Sequence, residues 1–476
     1  MKRAYIGGEW VETDRLLKVI NPYDDSLVAE VALCGEAEIE RAIALAYESL
    51  EEVRQLAPYQ RADALIKVRD GITARSEEFA QTLSKENGKT IAESRLEVAR
   101  AAATFDIAAG EATRISGEIM ELGINAMGAG RRGMVRRYPI GVVSAIAPFN
   151  FPLNLAIHKI APAMAAGCPV LLKPASKTPL SSLMMAEEIE KSGWPKKAFS
   201  LLPSDRKSGQ MLVEDERIKL LSFTGSPEVG WQMKRDAGKK KVVLELGGNA
   251  GLIIDRDVRD WDWLIQRAVL GAFYQCGQVC ISVQRIFVHE EVMGEFRSRF
   301  KAAAEALKAG DPLATETTLG PIINGSNRDR LQKWIADALV SGAQLVTGNS
   351  LADVGGGNTL NATVLEAADR DSQVVCEEAF GPVVTLFPVR SMEEAFQLAN
   401  DSRYGLQCGI FTNDFNTVMK AMDVLEVGGV IHNDVPSFRV DSMPYGGVKD
   451  SGLGREGVRY AMEDMLEHRV LVHHVP

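Results

Sequence analysis

Between Val142 and Leu252 the chain repeats one pattern: a short apolar run, a turn, a helical stretch, and the next apolar run. The runs are VVSAIAP, PVLLKPA, AFSLLPS, IKLLSFTGS and KVVLELGG, separated by NLAIHKIAPAMAAG, LSSLMMAEEIEKSG, KSGQMLVED and VGWQMKRDAG. Apolar strands that alternate with helices are expected to lie parallel, because each return to the same end of a sheet uses a helical crossover and the helices then cover both faces. The expected core is a doubly wound parallel sheet, which takes ligands at the carboxyl ends of its strands.

The flanking segments read differently. AYIGGEWVE and the stretch running into NPYDDSLVAEVAL alternate apolar and polar residues around turn punctuation, which predicts an N-terminal hairpin region. From Glu36 to about Ala112, apolar residues recur at helical spacing, with breaks near Pro58 and Gly88. Residues 115–139 mix turn and basic residues and read as exposed strands of a projecting arm. After Leu252 a second α/β stretch runs to about Pro444, with a helix at WDWLIQRAVLGAFYQ and strands at QRIFVHE, PVVTLFPV and GGVIHND. At 476 residues the chain has length for about three domains.

Charge and cysteine usage narrow the function classes. A formal net charge of −10 gives no general field for polyanions, so nucleic acid is not an expected partner. The N-terminus turns polar before any apolar core of a secretory signal forms, and cytoplasmic residence is the expectation. No membrane association is expected, since the most apolar stretch, Ile157 to Leu172, carries Lys159 and includes Pro162, Gly167 and Pro169. The six cysteines form no CxxC pair and have no nearby histidine spacing, so neither disulfides nor a metal site is expected.

Several strand ends carry residues capable of chemistry. In SFTGSPEVG, Gly225 and Ser226 form a strand-to-helix turn that either is simply tight or lets a phosphate reach backbone N–H groups. LLKPAS places Lys173 and Ser176 at an equivalent edge, as a solvated lysine or as ligands of a ribose and its phosphate. Glu245 sits inside the apolar run VVLELGG, where it is either hydrogen-bonded to local backbone or a general base of raised pKa. Cys276 and Cys280 follow a long helical stretch, and a thiol at such a turn is either a small core residue or a nucleophile. Asn150 in APFNFP is a turn residue or an amide donor for an oxyanion.

Taken together, PFNFP, LLKPAS, SFTGS, LELGG, GQVC, EEAFGPV and PYGGVKDSGLGRE occur in the order found in aldehyde dehydrogenases, and the chain resembles that superfamily over nearly its whole length. The resemblance implies an α/β fold with a Rossmann-like doubly wound nucleotide-binding domain (1–115 and 140–247), a catalytic domain (248–445), and a small β oligomerisation arm and tail (116–139 and 446–476). It implies NAD(P)-dependent oxidation of an aldehyde to a carboxylic acid through a thioester. Cys280 corresponds to the nucleophile, Glu245 to the general base and Asn150 to the oxyanion ligand, leaving Cys276 a bystander. Lys173 and Ser176 correspond to ligands of the adenosine ribose or its 2′-phosphate, Gly225 and Ser226 to the pyrophosphate turn, and Glu378 and Phe380 to ligands of the nicotinamide ribose. Phe149 and Gly209 are further cofactor candidates. Many NAD-preferring relatives carry glutamate at position 176; serine there implies NADP, with NAD as the other cofactor.

Phe149, Phe151 and Phe438 are candidates to line an aromatic tunnel, with Arg439 as either a surface residue or a contact for an anionic tail on the aldehyde. Succinate-semialdehyde dehydrogenases resemble this chain but carry arginine in an ITRK segment where it has AIHK, placing His158 at their carboxylate-binding position. The chain looks similar to members acting on lactaldehyde, glyceraldehyde 3-phosphate or phosphonoacetaldehyde. Glu245 argues against a CoA-acylating relative, and a non-catalytic nucleotide-binding or structural protein on the same fold is the alternative from another class. The tail MLEHRVLVHHV alternates as an edge strand does, and a homodimer or homotetramer is expected.

Overall fold

The computed structural model describes residues 1–474, so Val475 and Pro476 at the end of the expected tail lie outside the described residues. The alternating segment forms the centre of an eight-stranded sheet. Its spatial order is Glu9–Val11, Ala4–Ile6, Phe199–Leu201, Val170–Lys173, Val142–Ile146, Ile218–Thr224, Lys241–Glu245 and Gly452–Leu453. The strands from Phe199–Leu201 to Lys241–Glu245 are parallel. The N-terminal hairpin closes one edge antiparallel, and Gly452–Leu453 closes the other. Winding proceeds outward from Val142–Ile146 to Phe199–Leu201, then restarts on the other side at Ile218–Thr224. Strand order therefore reverses between Val142–Ile146 and Ile218–Thr224, which opens a crevice at their carboxyl ends.

A second sheet has the order Gln344–Thr347, Thr363–Glu366, Val383–Val389, Val283–His289, Ala250–Ile254, Gln407–Phe411 and Gly429–His432. Only Gln344–Thr347 at its edge runs antiparallel. Separate apolar clusters cover its two faces, as a parallel sheet requires. The four-residue link Leu246–Asn249 joins the sheets, so the carboxyl edge of the first meets the loops that enter the second. The arm is a three-stranded antiparallel sheet of Glu118–Glu121, Arg131–Pro139 and Leu466–His474, with the last as an edge strand. The stretch grouped with the tail from sequence divides here. Val448–Lys449 pairs with Tyr404–Gly405, Gly452–Leu453 joins the first sheet, the helix Val458–Asp464 packs on Asn154–Ala166, and only Leu466–His474 pairs in the arm. Among the described residues no helix is long and apolar enough to cross a membrane.

The helical layer of residues 36–112 packs over the first sheet and supplies charge to it. The helix Asn154–Ala166 runs through Pro162 and is buried at every residue, and both it and Leu180–Lys191 begin without a side-chain cap, after Leu153 and Pro179. Glutamates from neighbouring helices take the role of the missing caps. Glu97 accepts the N–H groups of Leu153 and Asn154 at 3.1 Å each, and Glu86 accepts those of Leu180 and Ser181 at 2.6 and 3.0 Å. Glu97 is also paired with Lys89, both side chains fully buried, and the Lys89 ammonium lies 4.1 Å over the Phe151 ring. A buried charge stripped of its partner is far more costly than the pair. Lys89→Met leaves Glu97 uncompensated and is expected to destabilise the protein by about 3–5 kcal/mol, read as a lower denaturation midpoint. An unchanged midpoint would show that the pair does not hold this layer in place.

Candidate active site

Four adjacent strands of the first sheet deliver the sequence candidates to one edge. Lys173 ends Val170–Lys173 and Ser176 follows it; Phe149 and Asn150 follow Val142–Ile146; Gly225 and Ser226 follow Ile218–Thr224; Glu245 ends Lys241–Glu245. Cys280 arrives from the opposite side, in the loop between the helix Trp261–Phe273 and the strand Val283–His289. The loop leaves the helix through three consecutive left-handed residues, Gln275, Cys276 and Gly277, at φ 53°, 55° and 66°. The left-handed region costs each non-glycine residue roughly 1–2 kcal/mol, so other contacts must offset it. Glu93 accepts the Gln275 N–H at 2.7 Å, and the Gln275 side chain bonds Asn87. Asn87 in turn donates to the Phe149 carbonyl at 2.6 Å, so one helical corner fixes the loops on both sides of the site.

Asn150 is buried and donates from Nδ2 to the Gln278 carbonyl at 2.9 Å, which leaves one amide hydrogen free beside the Cys280 loop. Around Cys280 lie Phe151, Leu155, Val279, Ile281, Leu406 and Tyr445. Cys280 Sγ is 3.1 Å from the Tyr445 hydroxyl. Burial raises the thiol, Glu378 and Glu245 add to the rise, and the Tyr445 hydrogen bond and the Arg439 charge oppose it, which leaves it at about 12. Gly248 must stay bare here, since a side chain would run into the Cys280 carbonyl.

Two carboxyls near this thiol sit in opposite environments. Both Glu245 oxygens are buried without a hydrogen-bond partner. Burial, and then the charge of Glu456, hold the Glu245 carboxyl well above its ordinary value, against the cations Arg439, Lys159 and Arg455. Glu456 is bonded by Lys159 at 2.9 Å and Arg439 at 3.1 Å, and these cations bring it to about 2 despite its burial. Glu456 therefore carries the charge and Glu245 keeps a proton, the division expected of neighbouring carboxyls. Lys159 also donates to Ser222 and Thr224 on the sheet.

Arg439 is not at the surface: its side chain is 7% exposed. Its Nη2 donates to His158 Nδ1 at 3.1 Å, and its Nε is buried without a partner. Because an arginine only donates, Nδ1 is the acceptor and His158 Nε2 carries the hydrogen given to Asp441 Oδ1 at 2.9 Å. Burial and the neighbouring Arg439 keep this imidazole neutral, and Arg100 donates to the same Asp441 oxygen at 2.7 Å. His158 thus meets Arg439 and Asp441 within a buried chain. Phe151 lies in the cluster at Cys280, whereas Phe149 packs edge-on to Phe380 at 5.7 Å and Phe438 remains 41% exposed, so the three phenylalanines do not form one lining.

At the crevice, the residues present suit a dinucleotide. Ser226 and Pro227 open the helix Pro227–Asp236 with no side-chain cap, so its first N–H groups remain available to an anion. Gly225 and Gly230 are bare because the rings and methyls of Phe223 and Leu246 occupy the space of a side chain, which brings the turn close to the sheet. Lys173 is half-buried yet forms no ion pair among the described residues, and Gly209 lies against its stem, where an added Cβ would come within 2.8 Å. Burial lowers the Lys173 pKa, so an anion here would relieve its desolvation. Glu378 accepts the Gly248 N–H at 2.9 Å and burial raises it to about 7, and Phe380 holds a left-handed φ of 49°.

Tyr445, Lys159, Glu456, and the corner of Asn87, Glu93 and Glu97 are site elements that sequence reasoning passed over. Tyr445 and Glu456 lie inside PYGGVKDSGLGRE, and Lys159 is a charge in an otherwise apolar helix; those were the available signals.

A model of the aldehyde dehydrogenase family matches residues 10–471. The chain is 40% identical to 3-sulfolactaldehyde dehydrogenase of Priestia aryabhattai, over 98% of this chain and 97% of that protein. Its structure superposes on crystalline aldehyde dehydrogenase 21 of Physcomitrella patens, in complex with the reaction product succinate, at TM-score 0.97 and 46% identity, covering 99% and 98% of the two chains. Glyceraldehyde-3-phosphate dehydrogenase GapN of Methanocaldococcus jannaschii, complexed with NADP, matches at TM-score 0.92 and 36% identity over 97% and 100%.

The raised Glu245 carboxyl has a pH signature. The folded protein keeps a proton there that the unfolded chain loses near the ordinary glutamate value of 4.5, so stability is lost as pH rises from that value through the raised one. Glu245→Gln removes this loss. Its stability relative to the parent is expected to grow by up to about 1.4 kcal/mol per pH unit across that window. A pH-independent difference would contradict the environment described for Glu245.

Proposed function

The chain belongs to the aldehyde dehydrogenase family and oxidises an aldehyde to a carboxylic acid with NAD or NADP, and from that membership we propose that Cys280 is its nucleophile, Glu245 its general base and Asn150 its oxyanion ligand. One observation carries the assignment: a part-buried thiol, an amide tied to its loop and an unpartnered carboxyl meet where the two sheets join. In this reading the Cys280 thiolate adds to the aldehyde carbon, and the oxygen becomes an alkoxide held by the free Asn150 N–H and the Cys280 amide. NAD(P), when bound, supplies the acceptor for the hydride leaving that carbon. A thioester on Cys280 remains. Glu245, once ionised, takes a proton from water, the hydroxide adds to the thioester, and the acid leaves as the sulfur departs. Because burial holds Glu245 protonated, this hydrolytic step speeds up as pH rises.

We assign the substrate class to small aldehydes with an anionic tail. Arg439 is a buried cation with an unpartnered Nε, joined through His158 to Asp441 and Arg100, and its guanidinium carbon is 3.7 Å from the ring that touches Cys280. Position 158 lacks the arginine of succinate-semialdehyde dehydrogenases, and Arg439 supplies a cation from the opposite element instead. The succinate of the Physcomitrella structure and the sulfonate implied by the Priestia name are both anionic. For the cofactor we propose a preference for NADP, because Ser176 beside Lys173 carries no carboxylate to repel a 2′-phosphate. A non-catalytic role is not favoured.

The test is reduced-cofactor formation with neutral, hydroxylated and anionic aldehydes, separately with NADP and NAD. Cys280→Ala is expected to abolish turnover, Ser176→Glu to move the preference toward NAD, and Arg439→Ala to raise KM roughly tenfold or more for anionic aldehydes alone. A larger kcat/KM with NAD that Ser176→Glu leaves unchanged would overturn the NADP preference, and equal KM effects on neutral aldehydes would overturn the anionic tail.

The arm supports self-association. Ile119, Ile124, Met127 and Leu471 are 79%, 90%, 85% and 60% exposed on it, and Leu466–His474 offers an unpaired edge. We propose that a second copy covers this surface in a dimer or tetramer. Light scattering at micromolar concentration is expected to give a multiple of 51.9 kDa, and a monomer mass would refute the proposal.

A further inference from the structure

Tyr445 reaches the site from a loop 165 residues beyond Cys280, and its hydroxyl ends 3.1 Å from the sulfur. The residue is 3% exposed, and its ring packs among Phe151, Leu155, Val279, Ile281 and Leu406. A buried phenol needs a hydrogen-bond partner, and the Cys280 sulfur is the partner it has among the described residues. The opposite feature is a cation: the Arg439 guanidinium carbon stands 3.7 Å from the ring centroid. A cation on the π face draws electron density from the ring and makes its O–H a stronger donor. Arg439 cannot swing away freely, because His158 and Glu456 hold the same nitrogen at 3.1 Å each.

We propose that Tyr445 is a catalytic residue of this enzyme, donating its hydroxyl hydrogen to the Cys280 thiolate, with Arg439 on its ring strengthening the donor. The inference rests on Cys280 being the nucleophile. A thiolate has no hydrogen, so once it forms the phenol is the only possible donor of the pair, and the proton stays on oxygen throughout. The bond is strongest to the free thiolate and weakens when the sulfur is acylated, so it favours both formation of the nucleophile and its departure from the thioester. The charged groups that bear on Cys280 are Arg439, which helps the thiolate, and Glu378 and Glu245, which oppose it. Arg439 and Glu245 bear on Tyr445 in the same opposed senses. Burial is the largest influence on the thiol and raises it, and the Tyr445 hydrogen bond is the largest influence acting in the opposite direction.

The test alkylates full-length protein with iodoacetamide at fixed pH values between about 7 and 9 and follows the rate at the Cys280 peptide by mass spectrometry, which separates it from the exposed Cys376. Tyr445→Phe keeps the ring and removes only the donor. It is expected to lower the Cys280 alkylation rate roughly ten- to hundredfold across this range, with a roughly ten- to hundredfold lower kcat at neutral pH and little change in KM. An alkylation profile unchanged in Tyr445→Phe, with Cys280→Ala inactive, would overturn the role of Tyr445 alone. Turnover retained in Cys280→Ala would overturn the nucleophile assignment and this role with it.

Discussion

The buried pair of Lys89 and Glu97 is the constraint from which the site's geometry follows. Glu97 caps the helix that carries His158 and Lys159, and Lys89 covers the ring of Phe151, so one fully buried ion pair sets where the Asn150 loop ends and the next helix begins. A turn before Glu97, on the helix Ile91–Ala112, Glu93 takes the N–H of Gln275 and thereby holds the left-handed loop that presents Cys280. Reacting groups must be held within fractions of an ångström to be useful, and here the positioning comes from charges that water cannot reach.

The same economy of charge organises the chemistry. Lys159 and Arg439 are both directed to Glu456, so the neighbouring Glu245 is left without a partner and retains a proton. Such isolation suits the general-base role proposed for Glu245, whereas a structural carboxylate gains from the pairing Glu456 receives. Arg439 belongs to three arrangements at once: it satisfies Glu456, fixes the tautomer of His158, and lies on the ring of Tyr445. In the proposed roles its position would link recognition of an anionic aldehyde to activation of the thiol.

Much of the frame was legible in the chain. The alternating segment between Val142 and Leu252 predicts the parallel sheet because strand and helix periods are local properties, and the residues placed at strand ends fall on one edge because parallel strands share a direction. The breaks at Pro58 and Gly88 also fall where a helix begins and ends. What pattern could not supply was tertiary. Lys159 looks like a stray charge in an apolar helix until Glu456, nearly 300 residues later, is placed beside it. Arg439 reads equally as a surface residue, and only the fold buries it. Residues 448–464 read as part of a tail because their short strands pair with segments far away in the chain. Phe438 was grouped with Phe149 and Phe151 by residue type alone, and the fold leaves it exposed.

The central claim is that an acyl group is carried on Cys280 and released by Glu245. Glu245→Gln enzyme mixed with an anionic aldehyde and NADP, then quenched and measured by intact-mass and peptide mass spectrometry, tests it directly. One equivalent of reduced cofactor per subunit, formed in a burst, and a stable acyl adduct on the Cys280 peptide are expected. Continued turnover without an adduct, or an adduct on another residue, would contradict it.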